Sequence, residues 1–181
     1  MPSATKVCCN FPETVPYLPA GKAVLTGCPI RQELKEGSRA AALAMTGFTA
    51  EKPIMLVMGG SLGAVAVNQA VRDALPELLQ TFQIIHLCGK GKLDESLKGT
   101  PGYVQYEYIQ KELADLFAAC DLVVSRAGAN AICELLALRK PALLIPLSAK
   151  ASRGDQILNA RSFERQGFSL SLIHISEPTR Q

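Results

Sequence analysis

The chain has 181 residues, 48% hydrophobic and 19% charged, with a formal net charge of +3, a balance that excludes a disordered or fibrous chain and fits a globular protein with a real core. Its lysines and arginines are scattered rather than gathered into a stripe, which argues against a nucleic-acid partner. No apolar run approaches the roughly 18 residues of a membrane-spanning helix, and the opening residues lack the basic-then-apolar order of a secretory signal.

Residues 6–11, "KVCCNF", read as a short strand that needs a sheet to join. The stretch after it carries Pro12, Pro16 and Pro19 and leads into "TGCPIRQEL", so residues 1–30 read as the edge of a preceding domain plus a linker. The six cysteines, Cys8, Cys9, Cys28, Cys88, Cys120 and Cys133, form no C-x-x-C pair. Most sit in or beside apolar runs and read as reduced, buried thiols in a reducing compartment.

From residue 54 the pattern alternates. Short apolar runs at residues 54–58, 83–87, 103–106, 122–124 and 142–145 read as strands. Between them lie helical stripes: Val67, Val71, Ala74 and Leu78, interrupted near Pro76; Leu113, Leu116 and Phe117; Ala131, Ile132, Leu135 and Leu138. A last helix over about 152–166 turns Ile157, Leu158, Ala160 and Phe163 inward. Apolar strands separated by amphipathic helices imply an α/β fold, a doubly wound parallel sheet covered on both faces. Ligands of such sheets bind outside the carboxyl ends of the strands, so the loops there carry the functional candidates.

The first loop is "GGSLGA", residues 59–64. It reads either as a tight strand-to-helix turn or as an anion cradle, with Gly59, Gly60 and Gly63 admitting a ligand close to the backbone and Ser61 capping the helix or donating to an oxygen. A helix amino end favours an anion by about 0.3 to 2 kcal/mol. The loop is not a Walker loop, because no Lys-Ser or Lys-Thr follows the glycines, and it lacks the spacing of a dinucleotide fingerprint.

In the second loop, "SRAGANAICE", Ala129 and Asn130 offer main-chain N–H groups, and Glu134 follows Asn130 by four residues on the same stripe. Glu134 reads either as an acceptor for two ribose hydroxyls, at about 1.5 to 3 kcal/mol per charged hydrogen bond, or as a solvated helix acid near Arg139. The third loop, "SAKASRGDQILNA", brings Asp155, Gln156 and Asn159 to the start of the last helix, where they suit sugar hydroxyls; Ser152 or Asp155 could equally be a plain cap.

"GGSLGA", "SRAGANAICE" and "SRGDQILNA", in this order and at these separations, closely resemble the carboxy-terminal domain of the MurG family of bacterial N-acetylglucosaminyltransferases, over roughly residues 6–168. The resemblance implies one Rossmann-like half of a two-domain GT-B glycosyltransferase, with residues 31–168 forming the domain that binds UDP-N-acetylglucosamine. It implies that Gly60, Ser61 and Gly63 face the diphosphate, that Ile109 contacts the uracil, and that Ala129, Asn130 and Glu134 surround the nucleoside. It further implies that Gln156, with Asp155 beside it, reads the sugar and that Arg31 lies near the donor. Cys28 stands where the family usually has Asn, which leaves the course of the linker open.

The family converts lipid I to lipid II in peptidoglycan synthesis, working peripherally on the cytoplasmic face of the cell membrane, with the acceptor, the membrane surface and the catalytic base in an amino-terminal domain that nothing here matches. No metal or other cofactor is implied. His86 lies within a strand and reads as a buried residue rather than a base. Two other readings stay open: a donor-binding subunit of a split glycosyltransferase, and a nucleotide-sugar epimerase, which would need cleft acids and a histidine that this segment lacks. Residues 169–181, "SLSLIHISEPTRQ", continue no element and resemble the translation of a sequencing adapter; on that reading His174 and Glu177 carry no function, and the other reading is a natural tail.

Overall fold

A computed structural model describes residues 3–60, 64–148 and 154–172. All five expected strands form: β3 (Ile54–Met58), β4 (Gln83–Leu87), β5 (Tyr103–Tyr106), β6 (Leu122–Ser125) and β7 (Ala142–Leu144). They make one parallel sheet in the order β5-β4-β3-β6-β7-β8, where β8 is the two-residue strand Leu170–Ser171. The chain winds outward from β3 to β5, then crosses back to start again at β6 beside β3. That reversal is the switch point of a doubly wound sheet.

β3 shows why the runs carry no alternation. Ile54 and Leu56 join a core cluster on one face with Leu116, Phe117 and Ile132, whereas Met55 and Val57 join a second cluster on the other face with Val67, Val71 and Leu75. With helices on both sides, every position of a central strand is buried. The first face is covered by α1 (Arg39–Thr46), α4 (Leu113–Ala119), α5 (Ala129–Ala137) and α6 (Asp155–Arg165); the second by α2 (Val65–Asp73) and α3 (Leu75–Thr81).

Pro76 divides the stripe from Val67 to Leu78 into two helices, because a proline ring clashes with the carbonyl four residues earlier; it sits in the first turn of α3. α1 was not among the expected helices. Ser38 caps it by accepting from the Ala41 N–H, and Gly47 ends it at φ +73°. The chain enters α1 through Gly37, where a Cβ would lie 2.0 Å from the Ala114 carbonyl oxygen, so only glycine lets this segment reach α4. There the Ser38 N–H donates to Asp115 Oδ1 at 2.7 Å.

Two expectations change at the ends of the chain. β1 (Val7–Cys9) is not alone: it pairs in parallel with β2 (Ala23–Leu25) across the short helix Pro12–Tyr17, forming a separate two-stranded sheet. Residues 170 and 171 do continue the fold, since β8 extends the sheet beside β7; a two-residue strand is too short to leave a periodic signal. Of the cysteines, Cys9, Cys88 and Cys120 are buried as expected, Cys28 and Cys133 are half-buried, Cys8 is exposed, and all six are free thiols. Among the described residues no helix is long and apolar enough to cross a membrane.

Candidate functional site

β3 and β6 lie side by side at the switch point and end together, Met58 opposite Ser125, so the loops that leave them open on the same edge of the sheet. α2 and α5 start there. Asn68 and Ile132 are the residues whose N–H groups first bond back, to the Ala64 and Gly128 carbonyls at 2.8 and 3.1 Å. The amides ahead of them have no partner within their helices, which makes two positive ends side by side. Gly60 adopts φ +84°, a left-handed conformation that favours glycine, and a Cβ there would meet nothing within 4 Å, so the backbone faces open space.

Beneath this edge lies a cavity of about 500 Å³. Met58, Gly60 and Leu87 form its floor at the ends of β3 and β4; Glu107, Tyr108 and Ile109, from the loop after β5, form one wall; Asn130, Ala131 and Glu134 of α5 form the other; Pro29 and Arg31 close over it. Residues more than a hundred positions apart thus meet in one mostly apolar pocket with a few convergent polar groups, the usual make-up of a small-molecule site.

Glu134 is 9% exposed, not a solvated acid, and its partner is Arg31 rather than Arg139. Arg31 Nε donates to Glu134 Oε1 at 2.8 Å and Nη2 to Oε2 at 3.2 Å, a bidentate clasp. That hydrogen bonding raises the Arg31 guanidinium above its ordinary range against the opposing effect of burial. Cys28, three residues before Arg31, donates its thiol to Asn130 Oδ1 at 3.4 Å.

Of the expected residues, the structure therefore brings Arg31, Gly60, Ile109, Asn130 and Glu134 to one cavity, with Ala129 adjacent as the first residue of α5. Ser61 and Gly63 lie outside the described residues, as do Ser152, His174 and Glu177. None of Asp155, Gln156 and Asn159 lines that cavity. Gln156 Oε1 accepts from the Leu147 N–H at 3.1 Å, Asn159 Nδ2 donates to the Ala127 carbonyl at 3.0 Å, and exposed Asp155 lines a different cavity with Asn159, Phe11, Thr14 and Tyr17. Successive helix residues diverge by about 100°, so 155 and 156 cannot share a face. Asn159 and Gln156 instead pin α6 to the loops after β6 and β7.

Glu107 and Tyr108, which precede Ile109 in the cavity wall, and the pairing of Arg31 with Glu134 were not among the expectations. Glu107 Oε1 accepts from the Gly91 N–H at 2.7 Å and so ties the loop after β5 to the loop after β4. His86 is fully buried and makes no part of the cavity: its Nδ1 lies 2.8 Å from Tyr103 Oη and its Nε2 3.1 Å from Asn68 Oδ1. Among the described residues, no group of three or more His, Cys, Asp or Glu side chains could hold a metal ion.

A family model described as the glycosyltransferase family 28 C-terminal domain matches residues 54–178. The chain is 69% identical over 172 residues to a protein of Lachnospira eligens and 58% identical over 171 residues to one of Clostridium botulinum strain Loch Maree, matches that cover 95% and 94% of this chain. Both relatives are named UDP-N-acetylglucosamine--N-acetylmuramyl-(pentapeptide) pyrophosphoryl-undecaprenol N-acetylglucosamine transferase. The matches cover 49% and 48% of those relatives, so the chain spans about half their length. Among solved structures, Acinetobacter baumannii MurG superposes with a TM-score of 0.66 at 23% identity, over 94% of this chain and 47% of that one. The glycotransferase of kitacinnamycin superposes with a TM-score of 0.68 at 15% identity, over 96% and 43%. At such identities the two structures speak for the Rossmann-like fold alone.

Proposed function

The chain belongs to the glycosyltransferase family 28 C-terminal domain family, and from that premise we propose that it is the UDP-N-acetylglucosamine-binding half of an inverting glycosyltransferase that converts lipid I to lipid II in peptidoglycan synthesis. The observation that carries the reading is the cavity at the switch point, where two helix amino ends stand over an apolar pocket that holds Ile109 and a nearly buried carboxylate. Uracil has the size and flatness for the apolar wall at Ile109. Glu134 accepts from the ribose hydroxyls, and the diphosphate lies against the amides of the loop at Gly60, Ser61 and Gly63 and of Ala129 and Asn130.

In the transfer, the bond from the anomeric carbon to the phosphate oxygen breaks as the C4 hydroxyl of the acceptor attacks the opposite face. The departing UDP gains charge, and amide donors held in place by α2 and α5 stabilise it without reorganising. No metal or other cofactor takes part in this reading. The acceptor site, the base that takes the hydroxyl proton and the contact with the cytoplasmic membrane face belong to the rest of the longer protein.

Titration of the chain with UDP checks the reading. Saturable binding is expected, weakened at least tenfold by Glu134→Ala, which removes charged hydrogen bonds of about 1.5 kcal/mol or more, and unchanged by EDTA. Absence of binding at millimolar UDP would refute it.

A further inference from the structure

Residues 27–31 run along one face of α5. Cys28 reaches Asn130 and Arg31 reaches Glu134, and residues 130, 133 and 134 of a helix share that face. Cys133 therefore lies between the two anchor points. It lies close enough to Cys28 for that neighbour to raise its thiol. Both cysteines line a second cavity of about 420 Å³, apolar and open to solvent, beside Phe11, Leu25 and Leu136, so a small reagent can reach them. The remaining thiols are separate: Cys9, Cys88 and Cys120 are buried, and Cys8 is exposed in β1.

We propose that Cys28 and Cys133 form a reversible intramolecular disulfide with a low-molecular-weight disulfide such as oxidised glutathione as the oxidant. The Cys28 sulfur, as thiolate, attacks one sulfur of the oxidant, which leaves as glutathione thiolate and gives a mixed disulfide on Cys28. Cys133 then loses its proton and attacks the Cys28 sulfur, expelling the second glutathione. Two thiol protons and two electrons pass from the protein to one oxidised glutathione, giving two reduced ones. Burial and the neighbouring Cys28 push the Cys133 thiol up to about 11. The bond fastens residues 27–31 onto α5 and keeps Arg31 beside Glu134. It also closes a loop on the order of a hundred residues, a constraint that acts mainly on the unfolded chain.

The test uses no nucleotide, so its outcome is independent of the donor reading. The folded chain is incubated with oxidised glutathione, alkylated, digested and mapped by mass spectrometry. A linked peptide pair joining Cys28 to Cys133 is expected, about 2 Da lighter than the two free thiols together. It should be reversed by dithiothreitol, abolished in C28S and in C133S, and retained in C8S. The linked form should melt several degrees higher and exchange the amides of residues 27–31 more slowly. Stable glutathione adducts on Cys28 or Cys133 without the linked pair, a pair that forms only in urea, or no linked pair while Cys8 reacts would each overturn the proposal.

Discussion

Glu134 is the residue on which site and scaffold meet. A carboxylate only 11% exposed along its side chain is costly without a partner, and Arg31 supplies one from 103 positions away. Each carboxylate oxygen has two lone pairs, so the clasp with Arg31 leaves one on each oxygen for a hydroxyl in the cavity. The position of Glu134 was legible, because a step of four from Asn130 is a helical step. The partner was not, because no periodicity links a linker residue to a helix so far along the chain, and Arg31 came into view only through the family motif. His86 reads the same way. Its place in an apolar strand announced burial, while its partners did not show. Asn68 Nδ2 donates to the Cys88 carbonyl at 2.8 Å, so Asn68 Oδ1 must accept and His86 carries its proton on Nε2, with Nδ1 accepting from Tyr103. Burial first, and the Arg72 charge second, lower His86 from 6.5 to about 4. The folded value lies below the unfolded one, so the unfolded chain takes up more protons as acid is added. The stability that His86 contributes is complete above about pH 6.5 and is lost as pH falls toward about 4. Urea melts at pH 7 and pH 5 should differ by about 2 kcal/mol from this group, and His86→Gln should flatten that difference even though it lowers stability at both pH values.

The elements were legible to the degree that burial wrote them. β3 and β4 are buried on both faces and stand out as apolar runs, and α2, α4 and α5 carry stripes because each covers one face of the sheet. α1 buries only Ala42, so "RAAALAMT" carries no clear stripe; its signal lies in Ser38 and Gly47, the residues that begin and end it. Its attachment is equally local. Gly37 sits against the Ala114 carbonyl, and adding one methyl at a 2.0 Å approach to backbone cannot be absorbed by turning a side chain. Gly37→Ala should cost about 3 kcal/mol, the upper part of the usual range for overpacking. The same change at Gly99, where a Cβ meets open space but φ is +80°, should cost about 1 kcal/mol through backbone strain alone. Thermal or denaturant melts of the two variants would separate these outcomes, and equal losses would mean that α1 shifts to make room.

At the scale of the whole molecule, the sheet order and its switch point explain why three loops far apart in sequence open on one edge, and the run of βα units made that edge legible before any coordinates. Only the first two loops converge on the cavity around Glu134. The third instead fastens α6 through Gln156 and Asn159, a role that no spacing distinguishes from ligand contact. The chain spans about half the length of its curated relatives, and the functional reading divides the work accordingly: the donor is held here, while the attacking hydroxyl and the base lie in the other half. Binding a donor without positioning an acceptor forgoes the contribution of proximity, which for well-oriented groups is on the order of 7 to 11 kcal/mol of the barrier. Incubated with UDP-N-acetylglucosamine and lipid I, this chain alone should bind the sugar nucleotide yet release no lipid II above the uncatalysed level, whereas the full-length Lachnospira eligens relative in the same assay should turn over. Product formed by the isolated chain would move the base and the acceptor site into residues 1–181, and the division of labour between two halves would fail with it.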